Sequence, residues 1–165
     1  MPHNQRASLL LGTVAAAALA AASGNARAQQ INVSATITAE CSVGGDADLA
    51  FGNYDPALGT EASTTVSVSC SAPADVGVTL GGGQNPNGSR QMVHSSDTDA
   101  FLGYRLFNGP ASGGQGEAWD ADFEHIFDIG TEATEIPIGG YILEGQVGPS
   151  GSYTDVVLVT LDVKS

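Results

Sequence analysis

The chain has 165 residues, of which 18 are acidic and 5 are basic, so its formal net charge is −13 at pH 7. Nucleic acids and anionic membrane surfaces are poor partners for such a chain, because phosphate binding requires clusters of Lys and Arg. Charged residues make up only 14% of the chain, against about 25% in typical soluble domains. The 22 Gly, with many Ser and Thr, are typical of an extracellular all-β protein.

The first segment, residues 1–28, has the pattern of a secretory signal peptide. Arg6 precedes an apolar, alanine-rich run over residues 9–22, and Ala26-Arg27-Ala28 places small residues at the two cleavage-recognition positions. The apolar run is shorter than the roughly 20 residues that a membrane span requires. We therefore expect cleavage after Ala28 and a mature chain without a membrane span, long enough for one domain with a single core.

Residues 29–41 (QQINVSATITAEC) alternate between apolar and polar side chains. Because successive side chains of a strand point to opposite faces, the alternation predicts a β-strand with one apolar and one polar face. The apolar face consists of Ile31, Val33, Ala35, Ile37 and Ala39. Such a strand at the start of the mature chain needs a sheet to complete, either its own or that of a neighbouring molecule.

Cys41, at the end of this segment, and Cys70 are the two cysteines of the chain. In an exported protein, two cysteines most simply form one disulfide bond. On the chain-entropy model a disulfide around a loop of this size contributes about 3–4 kcal/mol to stability. No Cys-x-x-Cys spacing occurs and no histidine is close in the sequence, so a metal site is not expected.

The rest of the chain consists of short period-two segments separated by turn residues, as in a sandwich or barrel. The predicted strands are residues 49–51, 64–70, 75–80, 91–94, 100–107, 126–129, 136–143 and 152–163. The last is the strongest, with Val157, Val159, Leu161 and Val163 on one face. The Gly-rich segments 81–89 and 108–122 are predicted to be loops, the second exposed and acidic. Its Trp119 is expected to cover an edge of the core.

Two stretches resemble ligand-binding motifs but lack a residue that the chemistry requires. Residues 83–90 (GQNPNGSR) have the glycine spacing of a phosphate-binding loop, with Ser89 in place of the Lys that reaches the phosphate. Residues 120–131 begin like a calcium loop, with His125 at the position that needs Gly. No Gly-x-Ser-x-Gly motif accompanies the histidines. We therefore expect a protein that is not an enzyme and has neither cofactor nor metal.

Six segments carry a resemblance to a known family. They are residues 36–41 (TITAEC), 49–54 (LAFGNY), 65–70 (TVSVSC), 104–107 (YRLF), 136–140 (IPIGG) and 151–161 (GSYTDVVLVTL). In these segments the chain resembles the spore coat protein U domain family. The family includes pilin subunits of the archaic chaperone–usher pathway, each similar to an immunoglobulin sandwich that lacks one strand.

The resemblance implies an all-β fold, an incomplete immunoglobulin-like β-sandwich completed by donor-strand exchange. It divides the mature chain into an N-terminal donor strand, residues 29–40, and a sandwich domain, residues 41–165. The apolar face of the donor strand is then expected to enter a groove lined by Val157, Val159, Leu161 and Val163 of the next subunit. An open apolar groove would also explain the need for a chaperone, since unpaired strand edges aggregate.

On this basis the protein is expected to be a secreted subunit of a surface pilus that supports adhesion and biofilm formation. Its expected partners are a periplasmic chaperone, an outer-membrane usher and neighbouring subunits. One alternative is a self-complemented, monomeric coat protein or adhesin, whose N-terminal strand fills its own groove. Another alternative is a small secreted hydrolase that uses His94 or His125.

Overall fold

The computed structural model of the chain describes residues 31–45, 47–85 and 87–164. Residues 31–35 belong to a separate N-terminal unit, and the residues from Thr36 onward form a second compact unit. The expected signal peptide, residues 1–28, and the first two residues of the expected donor strand lie outside the described residues. Within the described part of the chain, no helix is long and apolar enough to cross a membrane.

The described residues form eleven strands and one 3-10 turn, Ser112–Gly114. The strands are β1 Cys41–Gly44, β2 Thr60–Cys70, β3 Ala74–Leu80, β4 Gln91–His94, β5 Phe101–Gly103, β6 Arg105–Asn108, β7 Glu117–Ala118, β8 Glu124–Ile129, β9 Thr134–Ile142, β10 Tyr153–Thr154 and β11 Val159–Val163. They pair antiparallel in three sheets, with the orders β1-β2-β9-β6-β7, β10-β4-β5 and β11-β3-β8. The predicted all-β fold is confirmed.

One hydrophobic core joins the three sheets. The buried apolar residues alternate along the strands, as Val66 and Val68 do on β2 and Val76, Val78 and Leu80 on β3. Their neighbours in the sequence are mostly small or polar and face outward. Full burial of one such side chain stabilises the fold by about 1.5–3 kcal/mol. The period-two pattern therefore predicts these strands, because one face of each sheet is buried in the core and excluded from water.

Two predicted strands are each divided in the structure. Segment 100–107 becomes β5 and β6, which belong to different sheets and meet at Tyr104. Segment 152–163 becomes β10 and β11, which also belong to different sheets. The prediction of single strands was wrong because the alternation continues where a segment passes from one pairing partner to another.

One further prediction of a strand was wrong. Leu49 and Phe51 lie outside every strand and pack half-buried against the core. A strand requires hydrogen-bonded neighbours, and these two residues have none among the described residues.

The N-terminal segment forms no strand over residues 31–40, and β1 begins at Cys41. Its Glu40 carbonyl accepts from Ser71 N–H, next to the end of β2. That residues 29–40 form a strand in the sheet of a neighbouring molecule stays a prediction.

The Gly-rich segment 108–122 covers the outer face of β6 and β9. Phe107 and Tyr141 form a small second core there with Ala111 of this segment. Trp119 is only 1% exposed and covers the main core, as predicted. Its indole N–H donates to the Phe123 carbonyl at 3.1 Å. The expectation of an exposed loop was therefore wrong for residues 111 and 119, because the segment packs on the sheet.

Gly139 tests this packing, because a Cβ at position 139 would lie 2.4 Å from the Gly109 carbonyl oxygen. We expect Gly139→Ala to displace the covering segment and to lower the free energy of unfolding by about 1–3 kcal/mol, as overpacking does. Gly130→Ala is the matched control, since a Cβ there has no neighbour closer than 3.9 Å. Thermal unfolding of the protein measures both changes, and equal shifts would contradict the packing argument.

Candidate functional site

A groove of about 820 Å³ opens between residues 43–51 and residues 153–159. Its floor consists of core side chains, namely Val66, Leu80, Met92, Tyr104, Leu106 and Ile138. A second cavity, of about 610 Å³, has Leu49, Phe51 and Tyr153 in common with the groove. The core of the sandwich is therefore open to the surface along one seam.

Both walls of this groove adjoin sheet edges. β1 is the outermost strand of its sheet and pairs only with β2, whereas β11 is outermost in another sheet and pairs only with β3. β1 and β11 contact each other without pairing. Because an edge strand presents unpaired N–H and C=O groups, an extended segment in the groove can hydrogen-bond to either edge.

Main-chain hydrogen bonds show which residues of β11 face the open edge. Gly81 N–H donates to the Leu158 carbonyl and Lys164 N–H donates to the Asp75 carbonyl, both at 2.9 Å. In an antiparallel strand, successive residues direct their main-chain groups to opposite sides. Even-numbered residues therefore bond to β3, and odd-numbered residues direct their N–H and C=O groups outward. Ser95 N–H, which donates to the Ser152 carbonyl at 2.8 Å, places β10 in the same phase.

The residues predicted to line an acceptor groove, Val157, Val159, Leu161 and Val163, are all odd-numbered and share this phase. Val157 and Val159 are half-buried and line the groove. Leu161 is half-buried and packs against the core, and Val163 is 36% exposed. The structure thus brings the first pair into the groove and places the second pair farther along the same edge.

The opposite wall begins at the disulfide bond. Cys41 and Cys70 are bonded, with their Cα atoms 4.0 Å apart, which confirms the predicted disulfide. Ser71 N–H donates to the Glu40 carbonyl at 2.8 Å, so the main-chain groups of Cys41 and Val43 point away from β2. The disulfide therefore anchors a strand of only four residues whose other edge has no partner strand among the described residues.

Sequence reasoning did not assign the floor of the groove or the 43–51 wall to the site. Met92 and Leu106 lie in strands far from either wall in the sequence, and Tyr104 lies between β5 and β6. Their alternation identifies them as core residues, and nothing in it distinguishes a core residue beneath a seam from any other. Leu49 and Phe51 did provide a signal, since they lie in one of the segments that carry the family resemblance.

The described residues of the expected donor strand are exposed. Ile31 is 84% exposed, Val33 89% and Ile37 85%. Ala35 is also exposed and Ala39 is half-buried. Contiguous apolar side chains in water are uncommon on monomeric proteins and are typical of segments that bind another surface.

The two histidines considered for catalysis have structural neighbours. His94 Nδ1 accepts from Ser96 N–H at 3.2 Å, so the proton lies on Nε2, which is 3.3 Å from the Ser150 carbonyl oxygen. The His125 ring packs on Trp119, with centroids 4.6 Å apart, and its Nε2 is buried without a hydrogen-bond partner among the described residues. Within those residues neither imidazole bonds to a Ser or Thr hydroxyl, and no three His, Cys, Asp or Glu side chains form a metal-binding group.

A polar network lies beside the groove. Tyr104 donates its hydroxyl proton to Asp155 Oδ2 at 2.7 Å, and Gln84 N–H donates to Asp155 Oδ1 at 2.8 Å. Arg90 is 5% exposed and donates to the carbonyls of Leu80, Gly81 and Trp119. Burial, as the larger cause, and the hydrogen bond to Asp155, as the next, raise the pKa of Tyr104 well above its ordinary value. Tyr104 therefore stays protonated and remains a donor at physiological pH.

This raised pKa predicts a loss of stability in alkali. Because the folded-state pKa of Tyr104 lies above the ordinary value of 10.0, its contribution is complete below pH 10 and is lost as the pH rises toward the folded-state pKa. We expect the free energy of unfolding of the protein to decrease above pH 10, and to decrease less in Tyr104→Phe. Denaturant unfolding between pH 8 and 12 measures this, and identical slopes for the two proteins would contradict it.

The chain is similar to known proteins in both its sequence and its fold. The family model described as Spore Coat Protein U domain matches residues 27–160. Among solved structures, a similar one is the crystal structure of the CsuC–CsuE chaperone–tip adhesion subunit pre-assembly complex from the archaic chaperone–usher Csu pili of Acinetobacter baumannii. The TM-score is 0.58 at 18% sequence identity, and the match covers 77% of this chain.

The match covers 40% of the solved chain, so this chain spans less than half of that chain's length. No curated protein matches the sequence. At this identity the structural likeness shows the fold alone.

Proposed function

This chain belongs to the spore coat protein U domain family, and on that premise we propose that it is a subunit of a chaperone–usher pilus that polymerises by donor-strand complementation. The observation that carries the proposal is the groove between β1 and β11, whose floor is the hydrophobic core. A strand seated there gains main-chain hydrogen bonds from the sheet edges and buries apolar side chains on the floor. Each large side chain so buried contributes about 1.5–3 kcal/mol.

Residues 29–40 of a neighbouring copy are the proposed occupant. Their apolar side chains, at Ile31, Val33, Ala35, Ile37 and Ala39, follow the period of two that a strand presents to one face. A periplasmic chaperone would fill the groove before assembly and an outer-membrane usher would export the subunit. The resulting fibre would lie on the cell surface and support adhesion and biofilm formation.

The geometry near Glu40 favours donation to a neighbour over self-complementation. The Glu40 carbonyl accepts from Ser71 N–H, so β1 follows directly on the donor segment. To fill the groove beside β1, the segment would have to form a hairpin with β1, which requires turn residues between them. Residues 36–43 (TITAECSV) contain no Gly, Pro, Asn or Asp. The self-complemented coat protein or adhesin is therefore the weaker candidate.

The hydrolase alternative has little support. His94 and His125 pack on aromatic rings, and His94 bonds to main-chain groups. His125 Nδ1 lies 3.5 Å from Asn108 Nδ2 and 3.8 Å from the Glu117 carboxylate, with no hydroxyl nucleophile bonded to it among the described residues. A catalytic His needs a nucleophile within hydrogen-bond reach. We therefore propose a structural subunit without catalytic activity.

The polymer joint can be tested by a charge at position 37. Ile37→Asp should stop polymerisation, because a carboxylate would enter an apolar groove without a partner. Thr36→Asp is the matched control, since its side chain lies on the opposite face of the strand. We expect Thr36→Asp to form ladders that resist sodium dodecyl sulfate, and Ile37→Asp to remain a chaperone-bound monomer.

Electrophoresis of unheated samples, with and without the coexpressed chaperone and usher, measures the outcome. Equal polymerisation of the two variants would contradict the proposed face of the strand. Loss of the chaperone-bound Ile37→Asp subunit would instead favour self-complementation, because the segment would then serve its own domain.

Hydrogen exchange tests whether a new strand pairs with the open edge of β11. In the assembled fibre the amides of Val159 and Leu161 should gain protection, because they point to the open edge. The amides of Thr160 and Asp162 already face β3 and should change little. Exchange resolved by residue, in fibres and in the chaperone-free subunit, measures this alternation. Protection that rises equally at all four positions would show that β11 does not pair with a new strand.

A further inference from the structure

Asp155 is a charged side chain in the wall of an otherwise largely apolar groove. We infer that Tyr104 is a positioning residue for strand binding. Its hydroxyl holds the Asp155 carboxylate in place and keeps it hydrogen-bonded when a bound strand excludes water from the groove. The inference rests on the proposed function, since it concerns the filled groove.

The position of Asp155 in the sequence pattern makes it unusual. It is odd-numbered and half-buried like Tyr153 and Val157, whereas Thr154 and Val156 on either side of it are exposed. It also lies between β10 and β11, where the segment changes its pairing partner from β4 to β3. A carboxylate therefore occupies an inward position at the point where backbone pairing is interrupted.

The inner side of this carboxylate is occupied by donors. Oδ2 accepts from Tyr104, and Oδ1 accepts from the main chain of Gln84 and, at 3.5 Å, from Asn85 Nδ2. A Cβ at Gly83 would lie 2.0 Å from Oδ2, so the 81–85 segment fits closely against Asp155. The buried Arg90 is near enough for its charge to interact with that of Asp155.

Filling the groove changes the environment of this network. In the open groove Asp155 is half-buried and partly hydrated. A bound strand would remove that water, and a buried charge is tolerated only where hydrogen bonds satisfy it. Tyr104 supplies one of those bonds from a hydroxyl that is itself buried. Loss of this hydroxyl should therefore weaken strand binding more than it weakens the empty fold.

Fibres of the full mature chain provide the test. Subunit release in hot sodium dodecyl sulfate is measured for the unchanged chain, Tyr104→Phe, Asp155→Asn and the double variant. We expect Tyr104→Phe to release subunits at least about tenfold faster, as for a lost hydrogen bond to a charged group. In the Asp155→Asn background the same change should have little effect, because no charge is left to satisfy.

Tyr141→Phe is the control, because Tyr141 also donates its hydroxyl to a carboxylate, Glu144 Oε2 at 3.1 Å, but does not line the groove. It should release subunits at the rate of the unchanged chain. Hydrogen exchange of the β8 amides, none of which belongs to a groove-lining residue, should be equal in all these fibres. Faster exchange there in Tyr104→Phe would show a general structural role and overturn the inference.

The inference is also overturned if Tyr104→Phe releases subunits at the unchanged rate, or equally fast in both backgrounds. If Tyr104→Phe makes no fibres, restoration of fibres by Asp155→Asn supports the inference and failure to restore them overturns it. An unchanged chain that makes no fibres would contradict the proposed function, a result distinct from all of these.

Discussion

The unpaired main chain along the seam between β1 and β11 is the constraint on which the rest of the structure depends. A sandwich normally closes its core with strands on every side, and here the floor of a groove is the core itself. Exposed strand edges and apolar surface both favour association with another chain. In the proposed joint, the exposed, alternating segment at residues 31–38 of a neighbouring copy would supply the complementary chemistry. The open seam thus accounts for why this fold is suited to assembly.

An open seam must also keep its shape, and the structure has separate means for each wall. β1 has four residues and one partner strand, and the disulfide to β2 holds it in place. The other wall changes partners between β10 and β11, where backbone pairing is interrupted. There Asp155, Tyr104 and Arg90 satisfy polar groups that no strand reaches. Buried polar networks of this kind stabilise a single arrangement when every member is paired.

Charge makes main-chain pairing more important for assembly. Of the three basic residues in the described part of the chain, Arg90 is buried and Lys164 already bonds to Glu124 and Asp162, which leaves the exposed Arg105. Copies of so acidic a chain repel one another at long range, and few cations are free to form ion pairs between them. Hydrogen bonds along an edge and apolar burial do not depend on charge. They are therefore the interactions that can join like-charged subunits.

The sequence alone was sufficient to predict the strands that stay in one sheet and bury one face along their whole length. β3 and β4 lie within one residue of their predicted bounds, and the disulfide followed from two cysteines in an exported chain. The open-edge phase of Val157, Val159, Leu161 and Val163 also follows the sequence pattern. In each case the physical reason is local, since successive side chains of a strand point to opposite faces.

Only the tertiary structure decided where that pattern is interrupted and what lies across the seam. The alternation is the same whichever sheet a strand joins, so the breaks at Tyr104 and after Thr154 have no local signal. The 43–51 wall and the floor of the groove come together through pairing between distant strands. The covering segment over Gly139 likewise depends on a close contact that no periodicity encodes. These features depend on which distant residues meet, and that is determined by the packing of the whole chain.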